Sequence, residues 1–319
     1  MKRIGVLTGG GDSAGMNAAL RAVVRTALSE GVEVVGIQRG WLGLSEADAR
    51  PLNSRDVAGI LHAGGTILRT FRYPDFKLAT GQEKVGRALK KLKLDGLVII
   101  GGDGSFRGGA VLDKTFDLPV MGVPATIDND IPGSDFSIGF DTALNIAVDA
   151  VDKIRDTASS HGRIFVIEVM GRSCGLLAMQ AGLSTGAEEV IVPEIPFDLD
   201  AICRRIEGGY DRGKQHAVIL VAEGAAKAPY IEYELKSRLK RSIRMVVLGH
   251  VQRGGSPSAA DRILATRFGV EATRLLLGGE RGKMVGMVSG RLKAGPLASR
   301  SDVARKQVLA YEQMLRLLT

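Results

Sequence analysis

The chain is poor in cysteine, in aromatic residues and in long apolar runs, and each shortage excludes something. Only Cys174 and Cys203 are cysteines among 319 residues. With no CxxC pair and no cysteine near a histidine at ligand spacing, they form neither a disulfide framework nor a zinc site, and both read as small buried residues. Aromatics make up 5% of the chain while glycine numbers 42, which suits Val/Ile strands, Ala/Leu helices and many tight strand-to-helix turns. No apolar run approaches the ~20 residues of a membrane helix. Met1-Lys2-Arg3 leads straight into a strand, without a signal-peptide core. The expectation is a cytoplasmic protein with no membrane partner.

The formal charge is +8, but no basic run is interleaved with aromatics and no nucleic-acid module is recognisable, so nucleic acid is not an expected partner. Phosphorylated small molecules account for the charge, because isolated arginines after strands bind phosphate bidentately. A hydrophobic fraction of 45% is ordinary for a globular chain, and this length favours two domains.

The stretch that organises the rest is Thr126-Ile127-Asp128-Asn129-Asp130, which follows the apolar run Val120 to Ala125. Polar groups at the carboxyl end of a buried strand are where open α/β sheets bind ligands. The alternative is a local turn, since Asp and Asn also turn the backbone for their own reasons. Near the start, the strand Arg3 to Leu7 runs into Thr8-Gly9-Gly10-Gly11-Asp12-Ser13-Ala14-Gly15 and then a helix from Met16. Such a glycine-rich turn is an anion cradle, although without a Walker lysine it is not the common P-loop. Gly9, Gly11 and Ala14 also satisfy a dinucleotide fingerprint. The next strand, Val32 to Ile37, ends in Gln38 and Arg39 rather than in a ribose-binding acid, which disfavours a nicotinamide cofactor.

A helical segment is expected after Leu52, followed by Gly64-Gly65-Thr66 and the basic stretch Arg69 to Pro74. Gly96 to Ile100 reads as a central parallel strand buried on both faces. It ends in Gly101-Gly102-Asp103-Gly104-Ser105, a second phosphate cradle in which Asp103 is placed to hold Mg²⁺. If this strand and Val120–Ala125 are neighbours, Asp103 and Asp128 converge on one sheet edge. A helix capped at Asp141-Thr142 and running to about Ala158 follows, with Leu144, Ala147, Val148, Val151 and Ile154 on its inner face and Arg155 exposed at its far end. The later strands Ile164–Glu168, Val190–Val192, Ala217–Ala222 and Met245–Leu248 each end in Gly or Pro with Arg, His or Glu. That edge suits a polyanionic, hydroxyl-rich ligand. A boundary near Gly139 divides the chain into 1–138 plus about 256–300, and 139–255 plus about 301–319, the last stretch an amphipathic helix.

These motifs, with Glu168-Val169-Met170-Gly171-Arg172 and Gly249-His250-Val251-Gln252-Arg253-Gly254-Gly255-Ser256-Pro257, resemble those of the bacterial ATP-dependent 6-phosphofructokinases over about residues 1 to 290. The resemblance implies two Rossmann-like three-layer αβα domains with mostly parallel sheets, an active site in the crevice between them, and a larger, ATP-binding first domain. It implies ATP near Gly11, Arg72, Tyr73, Gly102, Asp103, Gly104 and Ser105, with Mg²⁺ on Asp103. It implies fructose 6-phosphate on Thr126, Asp128, Asp130, Met170, Gly171, Arg172, Glu223, His250 and Arg253, joined by Arg163 and Arg244 from a neighbouring subunit of a homotetramer. Catalysis would fall to Asp128 as base, Thr126 as hydrogen-bond donor to the transferred group, Arg72 and Arg172 as charge stabilisers and Asp130 as orienting or direct participant.

An effector, ADP or phosphoenolpyruvate, is implied at Arg21, Arg25, Arg55, Arg155, Gly186, Glu188, Arg212 and Lys214. The family register falls on Ser54 in this sequence, so Arg55 stands one place out of it, and Gln215 replaces a lysine; altered effector strength or preference is therefore expected. Pyrophosphate-dependent relatives tend to carry an acid where Gly104 stands and a lysine where Ala125 stands; the small residues here favour ATP. Ala125 departs from the usual glycine, and its Cβ is expected to narrow the crevice beside the phosphates. A kinase using pyrophosphate or another sugar, and a non-catalytic nucleotide sensor, are the rival readings.

Overall fold

The computed structural model describes residues 1–298 and 302–318. In chain order its first elements are β1 (Arg3–Gly9), α1 (Met16–Ser29), β2 (Glu33–Ile37), α2 (Gly40–Glu46), β3 (Ala49–Leu52), α3 (Ala79–Leu92), β4 (Gly96–Gly101), α4 (Asp103–Thr115), β5 (Val120–Pro124) and α5 (Phe140–His161). There follow β6 (Ile164–Val169), α6 (Leu176–Thr185), β7 (Glu189–Ile191), α7 (Leu199–Asp211), β8 (Ala217–Ala222), α8 (Ala228–Arg238) and β9 (Ile243–Val247). The last are α9 (Ala259–Leu277), β10 (Lys283–Val288), β11 (Arg291–Pro296) and α10 (Val303–Leu318). Two compact units result: Met1–Ile127, Ile131–Asp141 and Arg253–Arg300 form the first, and Asp128–Asp130, Thr142–Gln252 and Ser301–Thr319 the second.

The sheet of the first unit has the order β11-β10-β5-β4-β1-β2-β3. Its inner strands are parallel, while β3 and β11 are antiparallel edges that the sequence reading did not contain. Alternation along the strands assigns their side chains to two cores. Ile4, Val6, Val98, Ile100, Met121 and Val123 pack beneath α1 and α9. Leu7, Leu97, Ile99 and Val120 pack with Trp41 of α2, Val85 of α3 and Phe106 of α4. Because both faces are covered, these strands read as continuous apolar runs.

Ala125 continues the Met121–Val123 face and is only 1% exposed inside that first core. This corrects the expectation for its side chain: the period of a strand turns the Ala125 Cβ into the core and not into a crevice. Residues 53–63 also differ from expectation, being successive turns and not a helix. The Asn53 side chain accepts from the N–H of Arg55 at 2.8 Å, and Asp56 accepts from the N–H of Asn53 at 2.8 Å. Local Asx bonds of this kind compete with helical ones.

The second unit holds a parallel sheet of order β7-β8-β6-β9. One face carries a core of Ile164, Val166, Ile219 and Val221 with Ile202 and Ile206 of α7 and Ile231 and Leu235 of α8. On α5, Ala147 and Val151 are fully buried, Leu144, Val148 and Ile154 are half-buried, and Asp149 pairs with Lys153. Asp141 lies inside the first turn of α5, one residue past its start, where it accepts a hydrogen bond from Ser258 Oγ at 2.5 Å. Within the stretch 301–319, the expected terminal helix is α10; residues 301 and 319 lie outside the described residues. No helix among the described residues is long and apolar enough to cross a membrane.

Candidate active site

In the first unit, the ladder pairs Gly9 with Gly101 and Gly101 with Pro124, so β1, β4 and β5 end level with one another. The chain leaves β1 toward β2 on one side while β4 lies on the other, so the strand order reverses between β1 and β4. That reversal is where open α/β sheets bind ligands. Both glycine cradles and the Thr126 stretch emerge at this edge, and β4 and β5 are neighbours as the sequence reading required.

Close backbone approach explains the glycines. A Cβ on Gly101 would stand 2.5 Å from the Gly9 carbonyl oxygen, and one on Gly9 would stand 2.6 Å from Ser105 Oγ. Ser105 is buried at the start of α4 and accepts a hydrogen bond from Trp41 Nε1 at 3.3 Å. A Cβ on Gly102 would lie 3.5 Å from the Thr126 Cβ, so the second cradle adjoins that side chain. Nothing lies within 4 Å of where a Gly104 Cβ would be. The start of a helix, with its N–H groups directed outward, is favourable for an anion here.

The segment carrying Arg72 and Tyr73 is tied to the first cradle. Thr70 Oγ1 donates to the Gly10 carbonyl at 2.9 Å, and Thr8 Oγ1 donates to the Arg69 carbonyl at 2.9 Å. Asn17 on α1 donates to the carbonyls of Ala63 and Gly64 and accepts from the N–H of Ile67. Lys84 stands over the Tyr73 ring, 5.6 Å from its centre. The Arg253 guanidinium lies against Gly11, where a Cβ would be 2.5 Å from it, and Nη1 donates to the Asp12 carbonyl at 3.0 Å. A residue expected on the sugar phosphate is therefore anchored on the first cradle.

Asp103 opens α4 and forms an ion pair with Arg107 on the next turn. Its side chain is about a third exposed and that of Arg107 is 72% exposed. No cluster of three or more His, Cys, Asp or Glu suited to a metal exists among the described residues. An accessible carboxylate is a hard oxygen donor that suits Mg²⁺ arriving with phosphates, an ion that commonly takes one or two carboxylates plus substrate oxygens.

In the second unit, Asp128, Asn129 and Asp130 occur with the loop that follows β6. Asn129 has φ of 51° and is 7% exposed; asparagine is one of the few L-residues that tolerates this left-handed region. Burial, reinforced by the charges of Glu194, Asp130 and Asp128, pushes the Cys174 thiol up to about 12. Met170 is buried, its N–H donating to Gln252 Oε1 at 3.4 Å, while Gln252 Nε2 donates to the Gly249 carbonyl at 3.0 Å. Gln252 thus ties the Met170 loop to the His250 loop, a role that its place in the sequence motif does not reveal. Arg172 and His250 are exposed, and Glu223 follows β8, its N–H bonded to the Val169 carbonyl at 2.9 Å.

Arg163 and Arg244 stand apart from these groups. They precede or open β6 and β9, which run parallel with Ile164 opposite Ile243, whereas Met170 to Arg172 and His250 follow the carboxyl ends. At ~3.3 Å per residue the two ends of β6 are roughly 20 Å apart.

Five of the expected effector residues gather in the second unit. Arg155, half-buried at its place on α5, donates to the Gly186 carbonyl at 3.0 Å. Lys214 pairs with Glu188 at 3.4 Å, and Glu188 also accepts from the N–H of Val218 at 2.7 Å. Glu188, Arg212 and Lys214 line a cavity of about 750 Å³ that α7 and α10 also wall. Arg21, Arg25 and Arg55 belong to the first unit, on α1 and in the turns after β3.

A family model described as phosphofructokinase matches residues 3–276. An ATP-dependent 6-phosphofructokinase of Halalkalibacterium halodurans is 54% identical over 292 residues, covering 92% of this chain and 91% of its own. Its counterpart in Bacillus subtilis is 53% identical over 292 residues, again covering 92% and 91%. Among solved structures, phosphofructokinase from Saccharomyces cerevisiae matches with a TM-score of 0.85 at 33% identity, covering 99% of this chain; this chain spans 47% of the yeast one. A pyrophosphate-dependent phosphofructokinase from Marinobacter aquaeolei, at 22% identity and a TM-score of 0.81 over 99% of this chain and 91% of its own, shares the fold.

Proposed function

The chain belongs to the phosphofructokinase family, and from that premise we propose that it is a glycolytic kinase transferring the γ-phosphoryl group of ATP to the 1-hydroxyl of fructose 6-phosphate. The products are fructose 1,6-bisphosphate, ADP and a proton. The observation that carries the reading is the pair of interlocked glycine cradles, Gly9–Asp12 and Gly101–Ser105, level with the strand end that leads into Thr126 and Asp128.

In this reading Gly11, Gly102 and Gly104 receive the nucleotide phosphates through backbone N–H groups, with Ser105, Arg72 and Tyr73 beside them. Asp128 accepts the proton of the attacking hydroxyl, and Thr126 donates a hydrogen bond to the group in transfer. Arg72 and Arg172 balance the charge that spreads over its equatorial oxygens. Asp130 orients the sugar, with Met170, Gly171, Glu223, His250 and Arg253 completing its binding. Asp103 would hold Mg²⁺, which would supply positive charge to offset that of the phosphates. ATP as donor is supported by Gly104, whose missing side chain leaves open space; Ala125, buried in the core, does not bear on the choice.

Arg163 and Arg244, at the amino ends of their strands, are best used by a neighbouring copy, which supports a homotetramer. Effector binding of ADP or phosphoenolpyruvate is supported by the cavity beside Glu188, Arg212 and Lys214. We place the protein in the cytoplasm, where such substrates occur. A coupled assay comparing ATP with pyrophosphate, and fructose 6-phosphate with tagatose 6-phosphate, tests the reading: ATP with fructose 6-phosphate is expected to give the highest kcat/KM. Preference for pyrophosphate, or nucleotide binding without turnover of any sugar, would overturn it.

A further inference from the structure

The turn that carries Arg172 lies between β6 and α6. It begins at Gly171, whose φ of 137° only glycine adopts readily, and ends at Gly175, the N-cap of α6. Both ends are held by groups outside it. At the first, the Gly224 N–H donates to the Gly171 carbonyl at 3.0 Å, and a Cβ on Gly224 would come within 1.8 Å of the Arg172 carbonyl oxygen. At the second, the Gly175 N–H donates to Glu194 Oε1 at 2.8 Å.

Glu194 enters from the segment after β7. Its second oxygen, Oε2, is buried with no hydrogen-bond partner among the described residues, and a Cβ on Gly175 would stand 2.7 Å from it. A buried carboxylate oxygen without a partner costs free energy, so fold stability alone favours a neutral side chain at this position. What the side chain supplies is an acceptor oxygen at the right reach for a backbone N–H at the start of a helix, which no helical carbonyl can satisfy. Arg172, three residues before Gly175, is exposed, so the backbone of the turn sets where it stands.

We propose that Glu194 is a positioning residue for phosphoryl transfer, which by gripping Gly175 fixes the Gly171–Gly175 turn and so sets the place from which Arg172 reaches the reacting group. This rests on the role given to Arg172 above. The side chain's reach matters more than its charge, because the grip is on one N–H at a fixed distance. Misplacement of a charge-stabilising group by about 1 Å is enough to cost up to roughly 10²-fold in rate.

The test pairs Glu194→Gln, which keeps the reach and an acceptor oxygen, with Glu194→Asp, which keeps the charge and loses one methylene. Kinetics are read beside thermal midpoints, in the wild-type and Arg172→Ala backgrounds. The expected result is a kcat about 10- to 100-fold lower for Glu194→Asp with KM for ATP unchanged, kcat within about 3-fold of normal for Glu194→Gln, and no further loss when Glu194→Asp is added to Arg172→Ala. A normal kcat for Glu194→Asp overturns the proposal, as does a loss that simply multiplies with that of Arg172→Ala or that Glu194→Gln shares in full. If Arg172→Ala itself leaves kcat unchanged, the functional reading falls and this proposal with it; a damaged Arg172→Ala enzyme beside an unaffected Glu194→Asp enzyme sinks the present proposal alone.

Discussion

Asn129 shows how much one residue type decides. It sits between two carboxylates in a left-handed conformation that a branched side chain would resist, and that conformation makes the stretch a sharp turn between Asp128 and Asp130. Asp128→Asn keeps the shape and removes the basicity. Its kcat is expected to fall by roughly 10²–10⁴-fold with KM values for both substrates little changed, in a steady-state assay, because a base acts mainly in the transition state. The cysteines give a second residue-scale expectation. Burial raises both thiols, Cys174 to about 12, so the thiol form persists well above neutral pH and thiolate is scarce. A chromogenic disulfide reagent at pH 8 should leave the native protein nearly untouched and titrate both thiols after denaturation.

The first unit's helix pair depends on a close approach that glycine permits. A Cβ on Gly269 of α9 would lie 2.7 Å from the Ala19 carbonyl oxygen and 2.7 Å from the Ala22 Cβ on α1. Gly269→Val is expected to destabilise the protein by about 1–3 kcal/mol through overpacking, read as a lower denaturant midpoint with an unchanged slope. Elements were legible wherever period and burial agreed: β1, β4, β5 and β8 are apolar runs of strand length, and α1 and α5 show a helical stripe. The turns at 53–63 were misread because their apolar residues mimic a helical stripe while the Asn53 and Asp56 side chains capture local N–H groups. Ala125 differs from expectation for a different reason: strand alternation carries on past Pro124 and buries it with Met121 and Val123.

At the scale of the whole molecule, the position of Arg163 and Arg244 is decisive, since both stand at the ends of their strands opposite Arg172 and His250. If they serve a neighbouring copy, Arg244→Ala should raise KM for fructose 6-phosphate, and mixing its subunits with Asp128→Asn subunits should restore tight-substrate activity in the hybrids. Equal activity before and after subunit exchange would show that Arg244 acts within its own chain or not at all. The sequence by itself determined the α/β class, the two cradles and the identity of the acids and arginines, because glycine turns and strand periods are local properties of the chain. Only the tertiary structure decided that Gly9, Gly101 and Pro124 end level, that Arg253 is anchored on the first cradle, and that Gln252 and Glu194 hold the Met170–Gly175 loop. Those facts depend on ladder register and on contacts between residues from 19 to 241 positions apart, which no local pattern of residues encodes.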